Sequence, residues 1–130
     1  MYFDELENIL RISWNAETCC PPLRDKYDGS NPSLGQCAIT TLIVHDFIGG
    51  KIMRCMTKEG SHYYNRIGDT IIDLTKDQFN GEFIDYKNSE ERTREYLLSN
   101  EDTKNRYLLL QSIVKDNFNK NIYQRKLVKK

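Results

Sequence analysis

The sequence predicts an α+β domain in which a small antiparallel sheet packs against one central buried helix, with further helices at both ends. Three observations predict it. Residues 37–48 are apolar around most of a helical circumference, the pattern of a helix covered on several sides. Two short β-type runs flank Gly68-Asp69, which reads as a hairpin. Both ends of the chain carry apolar residues at three- and four-residue steps, as amphipathic helices do. At 130 residues the chain is a single domain, 1–130, long enough for a core without disulfides or metals.

The first element is a helix over residues 4–14, with Leu6, Ile9, Leu10 and then Ser13 or Trp14 on one stripe. Cys20-Pro21-Pro22 is expected to break any helix, because proline lacks an amide hydrogen and restricts its predecessor. A polar loop follows to Pro32. Ser33 and Gln36 form the Ser-x-x-Gln pattern of a capping box, which starts the central helix at Ser33. It runs to Ile48, and Gly49-Gly50 ends it, glycine being the residue most easily left-handed past a helix end. Residues 51–56, 61–67 and 70–75 are expected strands. Residues 77–87 are irregular, with Phe79, Phe83, Ile84 and Tyr86 available for packing. Ser89-Glu90-Glu91-Arg92 is expected to open a helix to about Leu98, since acidic residues suit an N-terminal turn. A last helix spans 101–117, capped by Ser99 or Asn100, with Tyr107, Leu108, Leu109 or Leu110, Ile113 and Val114 on its apolar face.

Nineteen basic and nineteen acidic residues balance to zero charge, which excludes a general nucleic-acid binder. Arg125, Lys126, Lys129 and Lys130 make a local basic tail that reads as a solvated, frayed end. The C-terminal helices have no basic stripe, so they read as scaffold and not as a DNA-recognition pair. No apolar run reaches the ~20 residues of a membrane helix, and the acidic start lacks the form of a signal peptide. The expected compartment is the cytoplasm, where Cys19, Cys20, Cys37 and Cys55 would be reduced thiols. No cofactor motif is present and no cysteine pair has zinc-ribbon spacing. A metal site scattered over Cys37, Cys55 and His62 is a lesser alternative.

Cys37, His62 and Asp73 carry the chemistry. Counted from Ser33, Cys37 is the fourth residue of the helix, where unpaired amides and the positive end of the helix dipole favour a thiolate. The same amides could hold an oxyanion, and Gly35 leaves room for a substrate backbone. If Gly68-Asp69 is a two-residue loop, paired residue numbers on the two strands sum to 137. His62 and Asp73 then lie diagonally on one face, about 7–8 Å apart at the backbone and within side-chain reach. An odd-length loop would put Asp73 on the other face. On one face, Asp73 can orient His62 and leave its second nitrogen to Cys37, which makes nucleophile, base and orienter.

That order, cysteine at a helix start and then histidine and aspartate on successive strands, resembles the papain-like and transglutaminase-like superfamily. His62-Tyr63-Tyr64-Asn65 is similar to the histidine–aromatic segment of its transglutaminase-like branch. More closely, Trp14, Thr18, Asn31-Pro32-Ser33-Leu34-Gly35-Gln36-Cys37-Ala38, Gly49-Gly50, Gly60 to Asn65 and Ile72-Asp73-Leu74-Thr75 with Gln78-Phe79 resemble the small bacterial YunG-like proteins, over most of the chain. The superfamily resemblance implies a cysteine hydrolase or acyl-transferase acting on an amide-type bond of a peptide or small molecule. Papain-type enzymes place an oxyanion glutamine several residues before the nucleophile. Here Gln36 is immediately before it and is drawn into the capping box, so a donor is sought in the preceding loop or between Trp14 and Thr18. Tyr64 and Asn65 are expected at the surface, lining the cleft, and residues 20–32 would build the substrate groove.

A rival reading is a non-catalytic binding module that keeps a papain-like shell around a buried, inert Cys37. Singly, Cys37 reads as a core residue, His62 as a half-exposed strand residue and Asp73 as a turn carboxylate. His45 suits the dipole at its helix end as a cation. Cys19, Cys20 and Cys55 read as structural, and Trp14 as a packing anchor.

Overall fold

A computed structural model describes residues 3–128. It is an α+β fold with one four-stranded antiparallel sheet in the order β3-β2-β1-β4. The elements follow as α1 (Phe3–Ser13), α2 (Pro21–Arg24), α3 (Cys37–Ile48), β1 (Lys51–Thr57), β2 (Gly60–Ile67), β3 (Thr70–Ile72), a 3-10 turn (Lys76–Phe79), β4 (Ser89–Arg92), α4 (Arg94–Leu98) and α5 (Glu101–Val128).

The central helix packs between the sheet and the terminal helices. Leu6, Ile9 and Leu10 of α1, Ile39, Leu42 and Ile43 of α3, Ile52 and Ile72 of the sheet, and Leu110 and Val114 of α5 close one core. The other sheet face carries a second cluster, Met53, Cys55, Tyr64 and Ile84, covered by the irregular segment after β3. Trp14 is buried and donates its indole N–H to Thr40 Oγ1 at 2.9 Å, so it ties α1 to α3 as a packing anchor.

Five local expectations are corrected. The Ser33–Gln36 capping box does not form: no side chain caps α3, which begins at Cys37, and the Ser33 hydroxyl donates to Asn31 Oδ1 instead. Pro21 and Pro22 start a short helix, because the first turn needs no amide donor from them. Residues 89–92 form a strand paired with β1, with Arg54 opposite Glu90, and the following helix is capped by Thr93, whose hydroxyl accepts from the Tyr96 amide. Leu108 is exposed, while Tyr107, Leu110 and Val114 form the buried stripe of α5. The last helix extends to Val128, capped by Asn100, whose Oδ1 accepts from the Thr103 amide at 3.0 Å. The basic tail of Arg125, Lys126, Lys129 and Lys130 lies outside the residues whose side chains are described.

The hairpin register is the predicted one, with Ile67 opposite Thr70 and Asn65 opposite Ile72. The return strand is shorter than expected and stops at Ile72. The outer edge of β2 at His62 and Tyr63 is therefore free of a strand, and the start of α3 comes up to it. No described helix is long and apolar enough to cross a membrane.

Candidate active site at the start of the central helix

His62 is fully buried on β2. Its Nε2 meets Asp73 Oδ2 at 2.6 Å, with the Asp73 side chain only 2% exposed. A carboxylate can only accept, so Nε2 carries the proton and Nδ1 is the nitrogen left to work. Asp73 has just left the ladder. Its Oδ1 accepts from the Thr75 amide at 3.3 Å, while Tyr86 Oη donates to Oδ2 at 2.7 Å.

Cys37 is the first residue of α3, not the fourth, and is half-buried. The thiol has the His62 ring and the Tyr63 backbone amide as hydrogen-bonding neighbours. Burial pushes the thiol up, but those two neighbours outweigh it and hold its pKa below the ordinary thiol value. Burial likewise lowers His62, yet Asp73 and Cys37 outweigh it and raise the imidazole to about 9. The other thiols go the opposite way. Burial raises Cys20 and pushes Cys19 and Cys55 up to about 11. Cys37 alone combines access with stabilised thiolate, the pairing that makes a cysteine reactive.

Cys37 opens onto a cleft of about 200 Å³ that Cys20, Tyr63, Phe79 and Arg106 also line. Phe79 sets its ring edge-on to His62, centroids 4.8 Å apart, and shields the imidazole. Gln78 is the hub behind it. Its Oε1 accepts from the Gly35 amide at 3.2 Å, and its Nε2 lies 3.3 Å from His62 Nδ1 and 3.2 Å from Thr75 Oγ1.

The structure brings Cys37, His62 and Asp73 together and does not bring the further candidates to the cleft. Gln36 is buried with its Nε2 donating to Asn15 O at 3.1 Å. Thr18 is buried and accepts from the Asn15 amide through Oγ1, and Trp14 is held by Thr40. Tyr64 and Asn65, expected exposed, are each 2% exposed. Tyr64 Oη bonds Ser89 at 2.6 Å and Asn65 Nδ2 donates to Thr41 O at 3.0 Å. At the other end of α3 the Arg94 guanidinium donates to His45 Nδ1 at 3.0 Å. Among the described residues no cluster of three or more His, Cys, Asp or Glu side chains could hold a metal ion. Of the groups that sequence reasoning missed, Tyr86 and Arg106 carried no local signal. Gln78-Phe79 carried one only through the family resemblance.

The family model described as "YunG protein" matches residues 2–119. The chain belongs to the YunG family. A curated relative, "Uncharacterized protein YunG" of Bacillus subtilis (strain 168), is 33% identical over 76 residues, which is 58% of this chain and 62% of the relative. This YunG-family chain thus spans a little under two thirds of that relative's length. No solved structure matches it at a significant level. The family match contains Cys37, His62, Asp73, Gln78, Tyr86 and Arg106.

Proposed function

We propose that this YunG-family protein is a thiol-dependent hydrolase or acyl-transferase acting on an amide-type bond, built on a minimal papain-like or transglutaminase-like core. The observation that carries the reading is the buried 2.6 Å contact of His62 Nε2 with Asp73, with Cys37 beside the same ring at the start of α3.

In this reading the Cys37 proton already rests on His62 Nδ1, and the thiolate attacks the amide carbonyl carbon. The carbonyl oxygen becomes an oxyanion facing the free amides in the first turn of α3, whose positive dipole end favours it. As the C–N bond breaks, His62 Nδ1–H protonates the leaving nitrogen and a thioester remains on Cys37. Water or an amine then attacks the thioester, its proton passes to His62, and the thiolate is restored. Asp73 holds the ring and stabilises the imidazolium throughout. Gln36 takes no part, because its amide is committed to Asn15. Four unpaired thiols suit a reducing compartment such as the cytoplasm.

The test is site-resolved alkylation by iodoacetamide at neutral pH. Cys37 is expected to react about tenfold faster than Cys20, as a stabilised thiolate does beside an ordinary thiol. His62→Ala should abolish the difference. Equal labelling of Cys37 and Cys20 in the unaltered protein would remove the enzyme reading.

A further inference from the structure

We propose that the cleft beside Cys37 is a carboxylate-binding site, in which Arg106 selects substrates carrying a single negative charge next to the reacting amide. The inference rests on the thiol-enzyme reading above and adds a substrate class to it.

Arg106 is 7% exposed and lines the same 200 Å³ cleft as Cys37. Its Nε donates to Asp102 Oδ2 at 2.7 Å and its Nη1 to Thr18 O at 2.9 Å. Its Nη2 makes no hydrogen bond among the described residues, yet it is not sealed from solvent. Arg106 lines the cleft, and Nη2 is the end of the guanidinium left to take a ligand there. A guanidinium held by two fixed acceptors and presenting its remaining N–H groups to a pocket is preorganised for an oxyanion.

The surroundings say which anion. Asp102 already offsets the guanidinium charge, and Glu59 lines the cleft as well. Glu59 also borders two neighbouring hollows that Arg106 does not reach, so the acidic and basic ends of the cleft are distinct. At the Arg106 end the guanidinium charge is already shared with Asp102, so a monoanionic carboxylate fits that balance better than a dianionic phosphate. At about 200 Å³ the cleft is small, below the usual range of drug-sized ligand pockets, so it suits a group no larger than about one amino-acid residue beside the sulfur. The carboxylate is then either the free C-terminus of a peptide or an Asp or Glu side chain.

The test compares alkylation of Cys37 by iodoacetate and by iodoacetamide in the full chain, with N-acetylcysteine as the reference thiol. The rate ratio at Cys37 is expected to exceed the reference ratio by about fivefold, the scale of one partly screened charge contact. Arg106→Gln should return it to the reference. Because Arg106 also braces Thr18, Asp102→Asn serves as a variant at a half-exposed position. It removes the offsetting carboxylate and should raise the ratio further. A Cys37 ratio equal to the reference, or one unmoved by both substitutions, overturns the proposal while selective iodoacetamide labelling leaves the thiol-enzyme reading standing. Protection of Cys37 from iodoacetamide then distinguishes the sources. N-acetylglycine protecting better than its amide assigns a terminal carboxylate. N-acetylglutamic acid α-amide protecting better than the matching glutamine compound assigns an acidic side chain. Equal protection by charged and neutral compounds, or none by either, counts against the site.

Discussion

Tyr86 Oη donates to Asp73 Oδ2 at 2.7 Å, the same oxygen that meets His62 Nε2 at 2.6 Å. One carboxylate oxygen is thus fixed from two directions, with Thr75 holding the other. The orientation of the His62 ring depends on a tyrosine outside the strands that carry the pair.

Tyr86→Phe should therefore act on both stability and reactivity. Loss of one hydrogen bond to a charged acceptor costs about 1.5–3 kcal/mol, read as a lower urea midpoint. The iodoacetamide rate at Cys37 should fall severalfold with the fold intact. An unchanged rate would mean that Tyr86 serves packing alone.

The proton on His62 should persist well above the usual histidine range. Its folded value is about 9 against an ordinary 6.5. Protonation of His62 thus stabilises the native state fully below about 6.5, and this contribution is lost as pH rises through about 9. Cys37, held below its ordinary value, works in reverse, contributing stability that is lost as pH falls through its folded pKa. Between the folded pKa of Cys37 and about 9 the two oppose each other, so urea stability should fall less steeply with rising pH than in a Cys37→Ala variant, where His62 acts alone. Imidazole NMR shifts of His62 should stay in the charged form to pH 8 or beyond. A titration midpoint at or below 6.5 would rule out the ion pair.

Gly35→Ala should destabilise far more than Gly29→Ala, although both glycines have positive φ, +70 and +87. Each alanine incurs the roughly 1–2 kcal/mol of a left-handed L-residue. At Gly35 a Cβ would also meet Cys19 Sγ at 2.5 Å and the Cys20 amide nitrogen at 3.1 Å, whereas Gly29 has open space. Overpacking adds about 1–3 kcal/mol. Equal urea midpoints for the two variants would contradict this close approach of the 19–20 segment to the start of α3.

Gln78→Ala removes the acceptor of the buried Gly35 amide and a neighbour of His62 Nδ1. An unsatisfied buried donor costs about 1–3 kcal/mol, again read in urea. The Gln78 N–H facing Nδ1 opposes protonation of the ring there, so the same substitution should move the onset of Cys37 alkylation to lower pH; an unmoved profile would mean that Gln78 acts only through Gly35.

Much of this was legible locally. The α3 core, the Gly49-Gly50 stop and the 137-sum register of the hairpin follow from apolar period and turn chemistry, which act over a few residues. Strand β4 was not legible. Ser-Glu-Glu-Arg has the acidic character of a helix start, and only pairing with β1 across about 35 residues makes it an edge strand. The capping box failed for a similar reason. Asn31 took the Ser33 hydroxyl and Asn15 took the Gln36 amide, partners that no local pattern announces.

The sequence by itself determined that Cys37 lies near the start of a buried helix and that His62 and Asp73 share a face, because apolar period and two-residue alternation are set by neighbours along the chain. Only the tertiary structure decided that β3 stops at Ile72, so that the helix start can reach the open edge of β2 at His62. It alone decided that Gln78, Tyr86 and Arg106 converge there. Those contacts join segments 13 to 88 residues apart, and side-chain geometry at that separation comes from packing, not from periodicity.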